Sequence, residues 1–516
     1  MSPIRGNRSR IVHGLSHLWA KPFTPPAYLP EYMWCMTQPF PHAQHPGRLQ
    51  WQGKGRPDAL PQANASLLEQ FGQPGECAQL FLGDNLAAMS HLLQTGHEGF
   101  FQLVYIDPPF CSGTDYARTL HLRGEQGGPL GEEIGKQVQY TDQWSEDEYL
   151  QFCYERILLI HALLSDTGSI VLHVDEHMSH MLRCVLDEVF GRDNFVNEIV
   201  WHYPDNFQGN VRGLANNHNL LFWYSKSRNF QANPVRIPLA GPTKRDRRVW
   251  SKTEKKVVAA RDKNGKIIYD IYNDKKADDV WSIGQSAVSK IRSHEHVGYP
   301  TQKPEELLKR ILQATTAPGD WVFDAFSGSG TTACVAQKMG RKWMVCDSNP
   351  VSVQTLCSRL QAILAKQHAP KTKTPKGGIP IGEGAIRSVQ IVGINQASTK
   401  HRKARIDVDL QTLGTDLVVQ IKTVESASLN KAVGKPVEDW RRTIKSIRID
   451  PDYQGKVIRS QFWDAPVKAD LVKTTTNIPL SLCGKKIAVH LIDVFGEEMV
   501  WEGLVPTPCT STQKSS

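Results

Sequence analysis

The stretch DWVFDAFSGSGTTACVAQKMG, residues 320–340, decides the fold of this chain. Its first part is short and apolar and predicts a buried strand, and its last part predicts a helix. Between them lies a glycine-rich turn, DAFSGSGTTA, at 324–333. Glycines let a backbone approach a ligand closely, and the amino end of a helix offers unpaired N–H groups. The stretch therefore predicts a small-molecule site between a strand and a helix.

Strands and helices alternate on both sides of this stretch. AQLFLGDNLAAMSHLL at 78–93 indicates a strand, a turn and a helix, FQLVYID at 101–107 a buried strand, and KWMVCD at 342–347 another strand before a helix. Such alternation is typical of a mostly parallel, doubly wound α/β sheet. Residues 113–142 are polar and glycine-rich and predict a loop over the site.

Composition divides the chain into four parts. Residues 1–76 are rich in Pro, Gln and Gly and predict a partly irregular N-terminal extension. The α/β domain occupies 77–368, and a Lys/Pro/Gly-rich linker follows at 369–385. Short alternating runs separated by Gly and Asp predict a small all-β domain over 386–516.

The positive charge is concentrated in one segment. The 516 residues carry a net charge of +9, and residues 202–298 hold 18 Lys and Arg against 9 Asp and Glu, so the remainder balances to zero. A solvated basic loop is the plain interpretation, and a nucleic-acid-binding insert is the functional one. The residues expected to grip phosphate are Lys244, Arg245, Arg247, Arg248, Lys252, Lys255 and Lys256. The interleaved aromatic residues, which are Trp250, Tyr269, Tyr272 and Trp281, are expected to form the core of the insert.

Membrane and secretory signals are not found in the sequence. No apolar run reaches the ~20 residues of a membrane span, and the N-terminus has no apolar signal-peptide core. The ten cysteines form no CxxC pair, so neither a metal site nor a disulfide framework is expected. These features predict a cytoplasmic protein, associated with the nucleoid if it binds DNA.

The residues around the glycine turn leave two cofactors open. Gly328, Gly330 and Ala333 fit the dinucleotide fingerprint, and Asp347 ends the next strand, where a carboxylate binds ribose hydroxyls. NAD and S-adenosylmethionine both satisfy this pattern. Lys303, in YPTQKP at 299–304, offers a cation to a small carboxylate. NAD has no such group, whereas the methionine part of S-adenosylmethionine has one.

A second motif, VYIDPPFCSG at 104–113, places a carboxylate at the end of a buried strand. The Asp107 carboxylate and the Pro108 carbonyl can each accept one N–H of a base amino group, which turns the nitrogen lone pair toward a methyl donor. Pro108 and Pro109 fix the backbone, and Phe110 offers a flat face on which an extruded base can stack. Direct transfer then requires mainly positioning. The plain alternative is a strand-ending turn.

In this order the motifs resemble the beta-group N4/N6 amino-methyltransferases of DNA, most closely the modification subunits of type III systems. The resemblance covers residues 78–365 and implies a circularly permuted, Rossmann-like methyltransferase sheet with a target-recognition insert at 202–298. It makes Asp107, Pro108, Pro109 and Phe110 the catalytic block. The S-adenosylmethionine site it implies comprises Asp324, Phe326, Ser327, Gly328 and Gly330, with Thr332 and Lys303 at the methionine end, Asp347 on the ribose, and Asp84 as a further acidic contact.

The target nitrogen follows from the same resemblance. In this family, an Asp at the first motif position accompanies adenine more often and a Ser accompanies cytosine, so Asp107 favours adenine N6 in double-stranded DNA over cytosine N4. Two residues depart from the family pattern, Phe110 in place of Tyr and Ala325 in place of Pro. Cytosine C5 chemistry needs a nucleophilic Cys, usually after Pro, and the only Pro-Cys pair is Pro508-Cys509.

Several alternatives remain open at this point. The chain resembles subunits that work with a restriction helicase–nuclease partner, and a homodimer is equally compatible with its sequence. A nuclease module in the C-terminal domain would use Asp416, Gln420 and Lys422, although a hairpin with outward polar residues explains these positions. RNA as substrate, and a DNA-binding protein without activity, complete the alternatives.

Overall fold

A computed structural model describes residues 48–57, 60–73, 75–124, 130–205, 212–291, 293–367, 386–395, 403–435, 437–466 and 469–506. The predicted linker at 369–385 lies outside the described residues, as does the first part of the predicted N-terminal extension, residues 1–47. Among the described helices, none combines the length and the apolar character needed to cross a membrane.

Helices form where apolar residues recur at helical spacing behind a capping residue. The described helices are α1 (Asn85–Gln94), α2 (Glu146–Leu163), α3 (Ser179–Phe190), α4 (Ser286–Ser289), α5 (Glu305–Thr315), α6 (Thr331–Lys338), α7 (Pro350–Gln367) and α8 (Ala427–Val433). Ser145 begins α2 through a capping box with Glu148, in which each side chain accepts from the other residue's N–H. Pro304 precedes α5, and acidic residues occupy its first turn, as the helix dipole favours.

Strands occupy most of the remaining described chain. The first sixteen are β1 (Ala65–Gly72), β2 (Cys77–Leu82), β3 (Phe101–Ile106), β4 (Asp115–Leu122), β5 (Glu132–Thr141), β6 (Leu164–Val174), β7 (Phe195–His202), β8 (His218–Ser225), β9 (Arg236–Asp246), β10 (Arg248–Ser251), β11 (Lys256–Ala259), β12 (Tyr269–Lys276), β13 (Val280–Ser282), β14 (Trp321–Asp324), β15 (Lys342–Asp347) and β16 (Ser388–Ile394). The C-terminal strands are β17 (Arg405–Leu413), β18 (Asp416–Glu425), β19 (Ile444–Asp450), β20 (Ile458–Ser460), β21 (Phe462–Asp464), β22 (Thr475–Pro479), β23 (Lys486–Asp493) and β24 (Glu498–Leu504).

One large sheet organises the molecule. Its 11 described strands follow the order β13-β7-β8-β6-β3-β14-β15-β2-β16-β1-β20. The six adjacent strands from β6 to β16 in this order are all parallel. The predicted doubly wound, circularly permuted α/β sheet is thereby confirmed. The strand before the DPPF block, β3, lies beside β14, which leads into the glycine turn.

The core of the sheet explains why its central strands read as continuous apolar runs. All six residues of β3 are buried. Leu103, Val322 and Val345, from three neighbouring strands, share one hydrophobic cluster with Leu307 and Leu308 of α5. Parallel strands covered on both faces need apolar residues at successive positions rather than at alternate ones. Their carboxyl ends are therefore free to carry polar residues at one edge.

Two predicted domain boundaries do not coincide with the edges of this sheet. β1 falls within the predicted extension 1–76, yet it pairs antiparallel with β16. β16 in turn falls within the predicted domain 386–516, yet it pairs parallel with β2. Composition marks linkers but carries no information about pairing between strands some 300 residues apart. The sheet is thus completed by strands from both flanking regions.

The predicted insert at 202–298 is also only partly separate, since β8 and β13 belong to the large sheet. The remainder forms two small sheets, β9 with β12 and β10 with β11. We call residues 236–276 the basic arm. It contains 13 Lys and Arg against 5 Asp and Glu, which accounts for nearly all of the net positive charge of the chain.

Residues 113–142, predicted as a loop, form an antiparallel hairpin of β4 and β5 in their described part. The C-terminal region forms two sheets, β17-β18-β22 and β21-β19-β23-β24. It also contains α8, so the expected all-β domain is not entirely β. Leu122 of the hairpin is buried in the hydrophobic core of this region. The hairpin, which precedes α2 in the chain, thus packs against the C-terminal region.

Candidate active site

A cavity of about 400 Å³ opens at the carboxyl edge of β2, β3, β14 and β15. This volume is in the range of small-molecule sites, about 300–1,000 Å³. Most of the predicted catalytic and cofactor residues line it, namely Asp84, Asp107, Pro109, Lys303, Asp324, Phe326, Ser327, Gly328, Thr332 and Asp347. The edge of a parallel sheet thus brings together motifs that lie more than 200 residues apart in sequence.

The DPPF loop is held by hydrogen bonds that the sequence did not reveal. The buried Asp142 carboxylate accepts from the backbone N–H groups of Phe110, Cys111 and Ser112 at 3.1, 2.9 and 2.9 Å. The Tyr149 hydroxyl donates to the Pro109 carbonyl at 2.5 Å. Within the described part of the chain, no donor contacts the Pro108 carbonyl. Pro108 is buried and is not among the residues that line the cavity, so its role as an acceptor for an amine stays a prediction.

Asp107 lies between a lysine and a histidine. The Lys303 ammonium donates to Oδ2 of Asp107 and also lies 5.3 Å from the centre of the Phe110 ring. Oδ1 is buried and has no hydrogen-bond partner among the described residues. Nδ1 of His173 lies 3.5 Å from Oδ1. The structure thus places Lys303 beside the predicted catalytic carboxylate, whereas its role at the methionine end of the cofactor stays a prediction.

The glycine turn approaches the cavity through its backbone. Gly328 has φ of +49°, and its N–H donates to Oδ2 of Asp347 at 2.8 Å. A Cβ at Gly328 would meet nothing closer than the Tyr299 ring at 3.6 Å, so this position faces open cavity. The Ser327 hydroxyl is buried and has no partner among the described residues. An unpaired buried hydroxyl at the turn fits a polar ligand in the cavity.

The second glycine serves packing rather than the cavity. Gly330 has φ of +80° and precedes α6. A Cβ at this position would lie 2.3 Å from Cδ1 of Leu356 in α7. Gly330 therefore contributes to the predicted cofactor site only indirectly, because it allows α6 to begin close to α7.

The acidic residues of the site differ in their surroundings. Both oxygens of Asp324 are engaged, Oδ1 by the Phe326 N–H at 2.9 Å and Oδ2 by the Thr332 hydroxyl at 2.6 Å. Burial raises the pKa of Asp324 to about 7. Asp324 and Thr332 thus shape the turn between β14 and α6 and face the cavity only in part.

Asp347 and Asp84 lie at the ends of β15 and β2. Desolvation raises the pKa of Asp347 to about 6, although the N–H groups of Gly328 and Asn349 oppose this shift. Asp84 caps α1 by accepting from the Ala87 N–H at 3.0 Å, and it pairs with Arg156 at 3.0 Å. Both carboxylates can still accept from hydroxyl groups of a ligand, because each oxygen has two lone pairs.

The predicted DNA-binding residues lie on the basic arm, and all seven are exposed. Three of them form surface ion pairs, Arg247 with Asp270, Arg248 with Asp246 and Lys256 with Glu254. The other four have no ion pair within the described residues, and these are Lys244, Arg245, Lys252 and Lys255. The arm therefore offers a subset of cations that are free to meet phosphate.

The aromatic residues of the arm correct one expectation. Trp250, Tyr269 and Tyr272 were expected to form a core, yet they are 63%, 56% and 39% exposed. Two-stranded sheets have no second layer to cover them, so their side chains face solvent. Trp281 is buried as expected, because it belongs to β13 of the large sheet.

The suggested nuclease residues occupy the hairpin of β17 and β18. Gln420 and Lys422 point outward, and Lys422 pairs with Asp409 of the facing strand at 3.2 Å. This agrees with the plain interpretation of the pattern. Asp142, Tyr149 and His173 were not identified from sequence. Only His173 had a signal there, as a polar residue within the apolar run of β6.

Comparison with known proteins agrees with this geometry. The model of the N6/N4 DNA methylase family matches residues 101–357. Over 323 residues the chain is 26% identical to the type II methyltransferase M.EcaI of Enterobacter cloacae, covering 54% of this chain and 68% of that protein. Over 210 residues it is 30% identical to the type II methyltransferase M1.MboII of Moraxella bovis, covering 40% of this chain and 76% of that protein.

Two further relatives bear on specificity and assembly. The DNA adenine methyltransferase YhdJ of Escherichia coli strain K12 is 25% identical over 294 residues, which cover 56% of this chain and 84% of YhdJ. The Mod subunit of the type III enzyme EcoP15I of Escherichia coli is 29% identical over 159 residues, which cover 29% of this chain but only 24% of that subunit. The chain belongs to the N6/N4 DNA methylase family and is a DNA methyltransferase that uses S-adenosylmethionine.

Proposed function

We propose that this DNA methyltransferase modifies the exocyclic N6 of adenine in duplex DNA, after the base has been turned out of the helix. The observation that carries the proposal is the free acceptor pair at the end of β3. Oδ1 of Asp107 and the Pro108 carbonyl have no hydrogen-bond donor among the described residues, and Asp107 lines the cavity that contains the glycine turn. An amino group needs two such acceptors.

The residues of the chain would act by positioning. Asp107 and the Pro108 carbonyl each take one N–H, and Phe110 stacks against the base. S-adenosylmethionine supplies a sulfonium methyl group, whose C–S bond breaks as the amine nitrogen lone pair forms the new C–N bond, leaving the electron pair on sulfur. The methylated nitrogen then sheds one proton, for which Asp107 is the acceptor in this proposal.

We assign the cofactor to the opposite side of the same cavity. The Gly328 backbone and the Ser327 hydroxyl, which has no partner among the described residues, would hold the methionine part, and Asp347 would accept from the ribose hydroxyls. Phe326 and Asp84 complete this side. Two features support the fit of S-adenosylmethionine to this cavity, namely the cavity volume and the number of hydrogen-bond acceptors along its wall.

Adenine is favoured by two observations. An Asp precedes the two prolines of the motif, and the relative with the widest coverage of its own length among those compared, YhdJ, is an adenine methyltransferase. Cytosine N4 is the alternative within the same family. Mass spectrometry of nucleosides from methylated DNA separates the two, since N6-methyladenine supports the proposal and N4-methylcytosine alone replaces it.

Replacing Asp107 by Ala should abolish methyl transfer and leave S-adenosylmethionine affinity nearly unchanged. The variant removes one of two acceptors for the amine but no group of the cofactor wall. Transfer of radiolabelled methyl to DNA and calorimetric binding of the cofactor measure the two effects. Asp166→Ala, which changes an exposed carboxylate in a turn-like part of β6, is the control. Substantial activity in Asp107→Ala would refute the assigned role.

The basic arm is proposed to bind the DNA backbone. Each phosphate contact contributes about 0.9 to the slope of log affinity against log salt concentration. Alanine at the four unpaired cations, Lys244, Arg245, Lys252 and Lys255, should therefore lower the slope by roughly 3 to 4 units. Alanine at the paired Arg247, Arg248 and Lys256 should lower it less, because their ion pairs already offset the charge.

A matched control for this experiment lies in the C-terminal region. Lys403, Lys431, Lys456 and Lys473 are exposed and carry the same total charge as the four unpaired cations. Fluorescence anisotropy of labelled duplex DNA at several salt concentrations gives all slopes. If the C-terminal variant flattens the slope and the arm variant does not, the DNA surface lies outside the arm.

The remaining alternative is that the chain acts only in a complex with a separate restriction helicase–nuclease. The type II methyltransferases M.EcaI and M1.MboII are matched over 68% and 76% of their length, whereas the type III EcoP15I Mod subunit is matched over 24%. This difference supports a methyltransferase that acts without a helicase–nuclease. Activity of the purified chain on DNA tests this directly, and a strict requirement for a co-purifying partner would reverse the assignment.

A further inference from the structure

A buried histidine lies directly behind the predicted catalytic carboxylate. His173 is fully buried in β6, the parallel neighbour of β3. Its Nδ1 is 3.0 Å from the Tyr105 hydroxyl and 3.5 Å from Oδ1 of Asp107. Its ring also packs against Phe110, with 5.7 Å between ring centres, and against Trp201 at 5.4 Å. One side chain therefore contacts both the carboxylate and the stacking ring of the DPPF block.

The protonation of this imidazole is fixed by its surroundings. The Tyr203 hydroxyl donates to Oδ1 of Asn219 at 3.0 Å, so the amide nitrogen of Asn219 faces His173. That nitrogen lies 2.9 Å from Nε2 of His173. An amide nitrogen can only donate, so Nε2 must accept. Burial lowers the pKa of His173 to about 3, so the ring is neutral and its single proton lies on Nδ1.

The Nδ1 proton lies near two oxygens, the Tyr105 hydroxyl at 3.0 Å, with which the ring is hydrogen-bonded, and Oδ1 of Asp107 at 3.5 Å, which has no partner among the described residues. Oδ1 of Asp107 is buried and has no hydrogen bond from the described residues, while Oδ2 is held by Lys303. A buried carboxylate oxygen without a donor is costly, and donors near it are normally used. Hydrogen bonds of catalytic groups often shorten when the substrate binds. Each oxygen can keep its protein donor and still accept from an amine.

We propose that His173 is a positioning residue for Asp107, whose Nδ1–H anchors the inner carboxylate oxygen and fixes the carboxylate in the orientation that receives the target amine. The inference rests on the proposed role of Asp107. His173 does not touch the reacting atoms. Tyr203 and Asn219 act one step further out, because they set the tautomer that presents the proton.

A purely structural histidine would predict different consequences. Loss of a buried hydrogen bond would lower stability and would affect substrate binding and turnover only through the folded fraction. A positioning histidine predicts a selective loss of kcat, with the KM for DNA and the affinity for S-adenosylmethionine retained. The two roles are therefore separable by kinetics at fixed folded concentration.

Two conservative substitutions test the inference. The side-chain nitrogen of Asn occupies the place of Nδ1, and the side-chain oxygen of Gln reaches the place of Nε2, where it accepts from the Asn219 amide. His173→Asn can still donate to Asp107, whereas His173→Gln keeps only the contact with Asn219. We expect His173→Gln to lose roughly one to two orders of magnitude in kcat, and His173→Asn to recover most of that loss. Calorimetric cofactor affinity should match the unmodified chain in both.

A milder variant keeps the inference testable if the histidine variants do not fold. Tyr203→Phe removes the hydroxyl that orients Asn219, so kcat should fall by a smaller factor while the ring of residue 203 still packs against Trp201. Equal kcat in His173→Gln and the unmodified chain would overturn the inference, as would equal losses in His173→Gln and His173→Asn. If Asp107→Ala retains activity, the proposed function fails instead, irrespective of the histidine variants.

Discussion

Asp324 shows how burial changes the behaviour of a carboxylate at the end of a parallel strand. Its two oxygens accept from Phe326 and Thr332, yet burial outweighs these bonds and raises its pKa from 3.8 to about 7. The folded chain thus holds a proton that the unfolded chain releases at a lower pH. The stability from this proton is fully present below about pH 4 and is lost as the pH rises through 7.

The corresponding variant is Asp324→Asn. Asparagine is neutral at every pH, so the part of the free energy of unfolding that declines between pH 4 and 7 should be reduced relative to the unmodified chain. Urea denaturation at a series of pH values measures the slope. Asp166→Asn, at an exposed site, should leave the slope as it is. Parallel pH curves for the unmodified chain and Asp324→Asn would contradict the role of burial.

Residue by residue, the sequence predicted the motif positions better than their individual roles. Gly328 and Gly330 satisfy the same fingerprint, but only Gly328 faces the cavity, while Gly330 avoids the Leu356 side chain. Lys303 was identified as a functional cation, yet it contacts Asp107. A sequence motif indicates that a position needs a small or a charged residue. The role of that residue depends on the atoms around it, and these come from distant parts of the chain.

Among the elements, the hairpin of β4 and β5 links the active site to the C-terminal region. At one end, Gln139, Tyr140 and Thr141 line the cavity and Asp142 holds the DPPF loop. At the other end, the buried Arg123 donates to the carbonyls of Pro466 and Asp470 at 2.9 and 2.7 Å. The C-terminal region therefore supports one wall of the active-site cavity.

Replacing Arg123 by Met should loosen this wall. The substitution removes a charged donor from the carbonyls of Pro466, Asp470 and Lys445, and each such hydrogen bond contributes about 1.5–3 kcal/mol. We expect faster hydrogen exchange over residues 110–142 and weaker binding of S-adenosylmethionine, measured by mass spectrometry and calorimetry. Arg261→Met on the basic arm, where the guanidinium contacts only the Gly265 carbonyl within the described residues, is the control. Unchanged exchange at residues 110–142 would show that the hairpin is held independently.

The hairpin also marks the limit of element prediction from this sequence. β3, β14 and β15 are recognisable because each is a short apolar run with a buried environment on both faces. β4 and β5 contain glycines and charged residues, and their apolar positions, such as Leu122, are covered by the C-terminal core rather than by local neighbours. The local periodicity of a sequence cannot reveal a packing partner that lies some 300 residues away.

For the whole molecule, the shared sheet predicts that the two predicted domains unfold together. β16 covers the edge of β2, β1 covers β16, and β20 joins β1. Differential scanning calorimetry of the full chain should therefore show one main transition. A chain ending at residue 385 should lose this stability and associate through the exposed edge of β2. Two well-separated transitions, of which the first persists in the shortened chain, would contradict this.

Charge distribution at this scale was predicted well, because net charge depends on composition alone. The excess assigned to residues 202–298 lies mainly on the basic arm. What composition could not provide is which cations are already paired, since ion pairs such as Arg236 with Asp274 form across strands. The predicted insert boundaries included β8 and β13 for the same reason: their pairing with β7 is a property of the folded sheet.

The attachment of the basic arm has a practical consequence. The arm leaves the large sheet after β8 and returns at β13, which flank the same strand, β7. If the arm binds DNA as proposed, its two attachment points on either side of one strand suit it to exchange between related enzymes. Chimaeras joined near residues 226 and 279 would transplant sequence preference, while the chemistry at the central strands of the sheet is inherited unaltered from the recipient.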